Sequence, residues 1–143
     1  MSTKQERIGE ILADHAGREG NLLPILHDVQ HALGYVDAES EALIAQGLNL
    51  SRADVHGVVS FYHDFRKSAD PRPEVQICRA EACKARGVEA LIKSAQSAAG
   101  DRVRISTVYC LGLCSVGPAA RVGDRLHGRL DAKGMTNVIE NAR

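Results

Sequence analysis

Residues 74–114 read EVQICRAEACKARGVEALIKSAQSAAGDRVRISTVYCLGLC, and the spacing of hydrophobic residues changes twice within this stretch. Glu74–Cys78 alternates between polar and apolar side chains, which is typical of a β-strand. Residues 83–99 place apolar side chains on one helical face, and residues 103–108 alternate again. The stretch therefore predicts a strand, a helix and a second strand, with a pair of cysteines near the end of each strand.

Downstream of this stretch, the pattern predicts a hairpin and a last helix. Residues 119–122 and 125–128 flank Gly123-Asp124, a pair that favours a hairpin turn, and Asp131 can cap the helix that follows. The order β-α-β-β-β-α, with a crossover and then a hairpin, fits a small α/β sandwich of thioredoxin-like type.

The first half of the chain predicts four short helices. The first covers residues 4–16, and Asn21 can cap a second helix that ends at Gly34. Asp37 can cap a third helix, which we expect to stop at Gly47.

Ser51 and Asp54 resemble a capping box for the fourth helix. That helix would carry the apolar residues Val55, Val58, Val59, Tyr62 and Phe65. Two prolines in the polar loop at residues 67–73 indicate a boundary. We therefore expect a helical bundle over residues 1–70 and an α/β domain over residues 71–143.

Bulk composition narrows the classes of function. The 143-residue chain balances 18 Lys and Arg against 18 Asp and Glu, so it lacks the basic surface of a nucleic-acid-binding protein. Its first residues are polar and no apolar run is long enough to cross a bilayer, so we expect a cytoplasmic protein without a membrane span. Because thiols usually stay reduced there, the four cysteines are interpreted as metal ligands or redox groups rather than disulfides.

The four cysteines form two closely spaced pairs, Cys78-x4-Cys83 and Cys110-x3-Cys114. Thiolates suit zinc or iron–sulfur clusters. The spacing favours a [2Fe–2S] cluster, because zinc sites commonly use a tighter Cys-x2-Cys pair, but a zinc-stapled interaction module stays open. Thiol oxidoreductase chemistry is disfavoured, because it uses Cys-x-x-Cys at a helix start.

Other polar residues indicate no catalytic site. Arg79, Lys84, Arg86 and Arg121 lie near the cysteines in sequence, where they either offset cluster charge or form a solvated surface. Gly112 either allows backbone N–H groups to reach sulfur or only shapes a turn. His27 and His31 are four apart on one helix, but two ligands alone make a weak metal site. No nucleotide-binding or nucleophile motif is present.

With these motifs, the chain resembles the thioredoxin-like [2Fe–2S] ferredoxins, the family of the 24-kDa-type subunit of respiratory NADH dehydrogenase (complex I). That family also supplies the small subunit of NAD-reducing hydrogenases and the gamma subunit of soluble NAD-dependent formate dehydrogenases. The matching segments are Leu23-Pro24-Ile25-Leu26, Gln30, Gly34-Tyr35, Val55-His-Gly-Val-Val-Ser-Phe-Tyr62 and the two cysteine pairs.

The resemblance implies one [2Fe–2S] cluster, and its ligands would be Cys78, Cys83, Cys110 and Cys114. It also implies a non-catalytic electron carrier that docks on a subunit binding flavin (FMN) and NAD. The helices of residues 1–70 would be the docking element.

The first ligand loop departs from many complex I members, which place a Gly-Thr pair there. Here the loop is Arg79-Ala80-Glu81-Ala82, so a hydroxyl donor to the cluster is not expected. The loop is more similar to the formate dehydrogenase gamma subunit, as is the short segment after the last helix. We therefore expect a complex with a formate-oxidising catalytic subunit, with complex I or NAD-reducing hydrogenase as the alternative.

Overall fold

The computed structural model describes residues 3–143, and the chain divides between Asp70 and Pro71 into two compact units. The first unit is helical. Its helices are α1 (Lys4–Asp14), α2 (Leu22–Leu33), α3 (Ala38–Leu48) and α4 (Arg52–Phe61). The helices enclose an aliphatic core, whose fully buried members include Ile8, Ile25, Leu26, Val29, Ile44 and Val55.

Side-chain oxygens cap three of the four helix starts in this unit. Thr3 and Ser51 each form a reciprocal capping box, with Glu6 and Asp54 respectively, and Asp37 accepts the backbone N–H of Ser40. The predicted caps at Asp37 and Ser51 are therefore confirmed. Asn21 precedes α2 as expected, but its side chain makes no capping bond, because its amide donates to the carbonyl of His15 at 3.1 Å instead.

Two predicted helix ends in this unit are wrong. Gly47 does not stop α3, which continues to Leu48 and ends at Asn49 in the left-handed conformation. Gly47 is inside the helix for a packing reason, since a Cβ there would lie 2.5 Å from Leu12 Cδ1. The fourth helix ends at Phe61, so Tyr62 and Phe65 lie beyond it rather than on its face.

The second unit is an α/β fold of four strands, three α-helices and one short 3-10 helix. In chain order the elements are β1 (Glu74–Cys78), α5 (Glu81–Ala85), α6 (Val88–Ala99), β2 (Arg104–Val108), the 3-10 helix (Cys114–Val116), β3 (Ala120–Val122), β4 (Arg125–His127) and α7 (Ala132–Glu140). The strand order in the sheet is β2-β1-β3-β4. β1 and β2 are parallel, whereas β3 is antiparallel to both β1 and β4. The predicted crossover and hairpin are confirmed, and so is the α/β class.

One element of this unit differs from its prediction. The helix expected over residues 83–99 is two helices, because Gly87 between them takes a left-handed φ of 93°. Glycine tolerates this conformation without the Cβ clash of other residues. The break leaves Cys83 on a short helix of its own, α5.

The core of the second unit lies between the sheet and its helices. Its fully buried side chains include Val75, Ile77, Val88, Met135 and Ile139. No helix within residues 3–143 combines the length and the apolar character that crossing a membrane requires.

Candidate metal centre

Parallel pairing places the two cysteine loops at the same edge of the sheet. Cys78, the last residue of β1, is in register with Val108, the last residue of β2. The backbone N–H of Arg79 then donates to the Val108 carbonyl at 2.9 Å, which extends the pairing into the loops. The chain that follows each strand therefore enters the same region, and all four cysteines are free thiols there.

The first pair of thiols is buried. Cys78 and Cys83 are each only 2% exposed and belong to the hydrophobic core of this unit. The N–H of Cys78 donates to the Ala119 carbonyl at 2.9 Å, which fixes the end of β1 against the segment that leads into β3. Cys83 lies on α5, which begins at Glu81 shortly after β1 ends. The fold thus presents these sulfurs from a strand end and a helix.

The second pair of thiols is exposed. The sulfurs of Cys110 and Cys114 lie 3.6 Å apart, in the loop after β2. Cys110 has a left-handed φ of 97°, and Gly112 follows with a φ of 75°. This turn directs the N–H of Gly112 to the Cys110 sulfur at 3.3 Å. Of the two roles considered for Gly112, donation to sulfur is the one observed.

Neighbouring backbone groups lower the pKa of the Cys78 thiol. Burial alone would raise the pKa of this thiol, but hydrogen bonding from the backbone of Ala80, Cys110 and Leu111 and from the Cys83 thiol lowers it. Two of these groups belong to the second cysteine loop. Such N–H donors stabilise a thiolate and tune the iron–sulfur clusters that thiolates hold.

The Cys83 and Cys114 thiols are shifted in the opposite direction from Cys78. Burial and then the neighbouring Cys78 raise the pKa of Cys83. The adjacent Cys110 sulfur raises the pKa of the Cys114 thiol. Negative charges on neighbouring sulfurs repel each other, which disfavours the thiolate form of these two residues. A positively charged iron centre would offset that repulsion.

Gly117 allows the closest backbone approach in the centre. A Cβ at this position would lie 2.9 Å from the Cys83 sulfur and 3.6 Å from the Cys83 Cα. Only glycine leaves this space to the thiol. This contact joins residues 83 and 117, which are far apart in the sequence.

The four basic residues near the cysteines have different partners. Arg79 forms a two-bond ion pair with Glu89, at 2.6 and 2.9 Å. Lys84 lies 3.8 Å from Glu81, and Arg121 donates to the Gln76 side chain at 2.8 Å. Arg86 instead donates from Nε to the backbone carbonyl of Cys114 at 3.0 Å. The sequence did not distinguish these roles.

The histidines lie in other environments. His15 contacts Asp28 at 2.6 Å, and His56 contacts Glu41 at 3.0 Å, two pairings that sequence reasoning missed. The ring of His27 stacks at a tilt against Phe65, with centroids 5.0 Å apart. Within residues 3–143, no three His, Cys, Asp or Glu side chains surround a common point suited to a single metal ion. Among the thiols, Cys110 and Cys114 form a close pair at 3.6 Å.

Fold and site together define an α/β protein of thioredoxin-like type with paired thiols at one sheet edge. The model of one protein family, described as thioredoxin-like [2Fe–2S] ferredoxin, matches residues 8–143. The chain belongs to this family, whose cofactor is one [2Fe–2S] cluster.

Several known proteins are similar to this chain. A subunit of the NADH-quinone oxidoreductase of Rhizobium meliloti (strain 1021) is 30% identical, over 99% of this chain and 89% of that protein. NADP-reducing hydrogenase subunit HndA of Solidesulfovibrio fructosivorans is 29% identical, over 79% of this chain and 71% of its own length. A crystal structure of an NAD⁺-reducing [NiFe]-hydrogenase superposes with a TM-score of 0.71 at 27% identity, covering 85% of this chain and 22% of that one.

Proposed function

We propose that this chain is the electron-transfer subunit of an NAD-linked oxidoreductase complex and holds its [2Fe–2S] cluster on Cys78, Cys83, Cys110 and Cys114. Membership of the family identifies the cofactor, and these four thiols are the candidates to bind it. When bound, such a cluster accepts and releases one electron at a time.

The observation that carries this proposal is the paired arrangement of the thiols. Each iron of a two-iron cluster takes two thiolates, and the chain offers one pair per loop at a shared sheet edge. Hydrogen bonding from the backbone of Ala80, Cys110 and Leu111 lowers the pKa of the Cys78 thiol, which favours the thiolate form that a metal cluster needs.

The protein's own residues have three tasks in this role. The buried pair anchors the centre in the core, since Cys78 and Cys83 pack among aliphatic side chains. The exposed pair keeps one side of the centre at the surface, where a partner can approach. Gly117 keeps the space beside the Cys83 sulfur open.

The complex we favour is an NAD-dependent formate dehydrogenase, with a flavin (FMN)- and NAD-binding subunit as the direct partner. The loop Arg79-Ala80-Glu81-Ala82 supports it, because it lacks a side-chain hydroxyl near Cys78. Complex I and NAD-reducing hydrogenase are the second candidate, favoured by the names of the relatives. In the first case electrons come from a formate-oxidising subunit through the flavin subunit.

The helical unit is the proposed docking element. At the end of α4, Phe61 is 74% exposed and Tyr62 42% exposed, and their rings pack edge to face at 5.1 Å. Exposed aromatic side chains are enriched where proteins bind each other. A Phe61→Ser variant should weaken binding to the flavin subunit about tenfold or more. The matched control is Leu126→Ser, another exposed apolar residue, which should bind normally.

The ligand assignment is tested by anaerobic purification of the full chain followed by iron and acid-labile sulfide analysis. We expect about two irons and two sulfides per chain, and a paramagnetic signal from one reduced two-iron centre after dithionite treatment. Single Cys→Ser changes at each of the four positions should each lower the iron content or alter this signal. Ser115→Ala, next to Cys114, is the control and should change neither.

Two results would contradict the assignment. Unchanged iron and an unchanged signal in all four cysteine variants would show that the ligands lie elsewhere. A colourless native protein with one zinc per chain would instead support the zinc-stapled interaction module.

An experiment that distinguishes the two candidate complexes requires the native assembly. The complex is purified with its partner subunits, and formate or NADH is added anaerobically while the reduced-cluster signal is recorded. Reduction by formate without added NADH supports the formate dehydrogenase, whereas reduction by NADH but not by formate supports the second candidate.

A further inference from the structure

Arg86 joins the two cysteine loops. It is the residue that ends α5, three positions after Cys83, so its backbone belongs to the end of the helix that carries Cys83. Its side chain crosses to the second loop, where Nε donates to the backbone carbonyl of Cys114 at 3.0 Å. A single side chain therefore links the helix that carries one thiol to the turn that carries another.

Gly117 lies beside this link. A Cβ at Gly117 would meet both the Cys83 sulfur, at 2.9 Å, and the Arg86 Cδ, at 3.3 Å. The stem of Arg86, an exposed residue, therefore passes beside Gly117 on its way to the Cys114 carbonyl. The guanidinium is planar, so its Nε–H bond points in a defined direction within the plane of the group.

The charge of Arg86 is not offset by a carboxylate. Arg79 forms an ion pair with Glu89 and Lys84 lies near Glu81. In the part of the chain from Thr3 onward, Arg86 forms no ion pair, and its bond is to a neutral carbonyl. Of the three basic residues in and around α5, Arg86 therefore brings a net positive charge to the thiol pairs.

We propose that Arg86 is a positioning residue for the cluster, which holds the Cys114 turn against α5 and raises the cluster's reduction potential. The proposal rests on the four-cysteine assignment above. Reduction adds a negative charge to the centre, and a nearby positive charge stabilises the reduced form more than the oxidised form. The hydrogen bond and the charge are separable, because glutamine keeps an N–H donor at the position of Nε without the charge, whereas leucine keeps neither.

The test uses the full chain with its cluster, as wild type, Arg86→Gln and Arg86→Leu. For Arg86→Gln we expect the equilibrium for one-electron reduction to fall about threefold to tenfold, where tenfold corresponds to about 59 mV. Its release of iron to a chelator should stay near the wild-type rate. Arg86→Leu should show a similar fall in the equilibrium and, in addition, faster release of iron.

Arg125→Gln is the matched control, since it removes an exposed arginine from β4 and not from a cysteine loop. It should leave both the potential and the release rate near wild type. If neither variant of Arg86 shifts either quantity beyond this control, the role of Arg86 is overturned while the cluster assignment stands. If wild-type protein holds no two-iron cluster, the assignment itself fails.

Discussion

The two units of the chain satisfy their helix starts in different ways. In the helical unit, side-chain oxygens of Thr3, Asp37 and Ser51 accept the N–H groups of the first turn. In the α/β unit, α5 and α6 follow Ala80 and Gly87 with no side-chain cap, whereas α7 starts with one, from Asp131 to the N–H of Gly134. The backbone of Ala80 instead lowers the pKa of the Cys78 thiol by hydrogen bonding.

This difference shows what each unit depends on. The caps of the helical unit are local, because each joins residues three apart, and they are complete within the chain. In the cysteine loops of the α/β unit, backbone N–H groups interact with sulfur atoms, and groups from both loops take part. Changes at the sulfur site should therefore have larger effects than changes at the caps.

The largest expected effect is at Gly117. Gly117→Ala would push a methyl group against the Cys83 sulfur and backbone, which should cost about 1–3 kcal/mol by overpacking and lower the cluster content. Urea unfolding and iron analysis measure both. Gly57→Ala is the control: its Cβ would meet nothing within 4 Å on exposed α4, so it should stabilise by up to about 1 kcal/mol. Equal effects of the two changes would contradict the close packing at Gly117.

A smaller effect on stability is expected when single thiols are removed, and it should differ between the buried and the exposed pair. In the metal-free full chain, Cys83→Ala removes a core sulfur and should lower the free energy of unfolding by about 1–2 kcal/mol. Cys114→Ala removes an exposed thiol and should change it by less than about 0.5 kcal/mol. Urea unfolding followed by circular dichroism compares them. A larger loss for Cys114→Ala would reverse this ranking.

The next smaller effect is expected at the helix caps, where loss of a cap should lower the free energy of unfolding by about 1 kcal/mol. Ser51→Ala removes the Oγ that accepts the N–H of Asp54 and donates to its carboxylate, while the backbone bond from the Ser51 N–H to that carboxylate stays, so the unfolding free energy should fall by about that amount. Asn21 precedes α2 but its side chain makes no capping bond. Asn21→Ala should therefore lower the unfolding free energy by clearly less. The pair of variants, unfolded in the same urea series, tests whether capping or mere position matters. Equal losses would mean that Asn21 stabilises its helix start in another way.

The smallest effect depends on pH. Burial alone would raise the pKa of Asp37, but hydrogen bonds from Lys4 and Ser40 lower it to about 2. A carboxyl with a lowered pKa stabilises the fold above its unfolded pKa, and this stabilisation disappears as the pH falls from about 4 towards 2. Since the Lys4 and Asp37 side chains are 22% and 31% exposed, we expect under about 1 kcal/mol.

Asp37→Asn tests this, because asparagine keeps the cap but loses the charge. Its stability difference from wild type, measured by urea unfolding at several pH values, should be constant above about pH 5 and vanish near pH 2. A difference that persists unchanged at pH 2 would exclude the carboxylate as its source.

Much of this architecture follows from local sequence. The alternation in residues 74–78 and 103–108, the hairpin at Gly123-Asp124 and the caps at Asp37 and Ser51 were all predicted correctly. Each depends on neighbours within a few positions, where periodicity and capping preferences act directly. The proximity of the two cysteine loops also followed, because parallel strands end at one edge.

The wrong or missing predictions concern features that depend on residues far apart in the sequence. Gly47 was interpreted as a helix stop, but Leu12 packs against it from another helix, so the absent side chain serves packing. Gly87 breaks a helix that apolar periodicity alone made continuous. The pairs His15–Asp28 and His56–Glu41, and the reach of Arg86, join residues 13, 15 and 28 positions apart. No local pattern encodes such contacts.

The proximity of the two exposed sulfurs has a consequence for assembly in air. Cys110 and Cys114 lie 3.6 Å apart as free thiols, so an oxidant that takes up two electrons, with loss of two protons, can couple them into a disulfide. The core shields Cys78 and Cys83 from the same attack. Under the proposed ligand assignment, a newly made chain would have to acquire its iron and sulfide before oxygen reaches it, or be reduced again first.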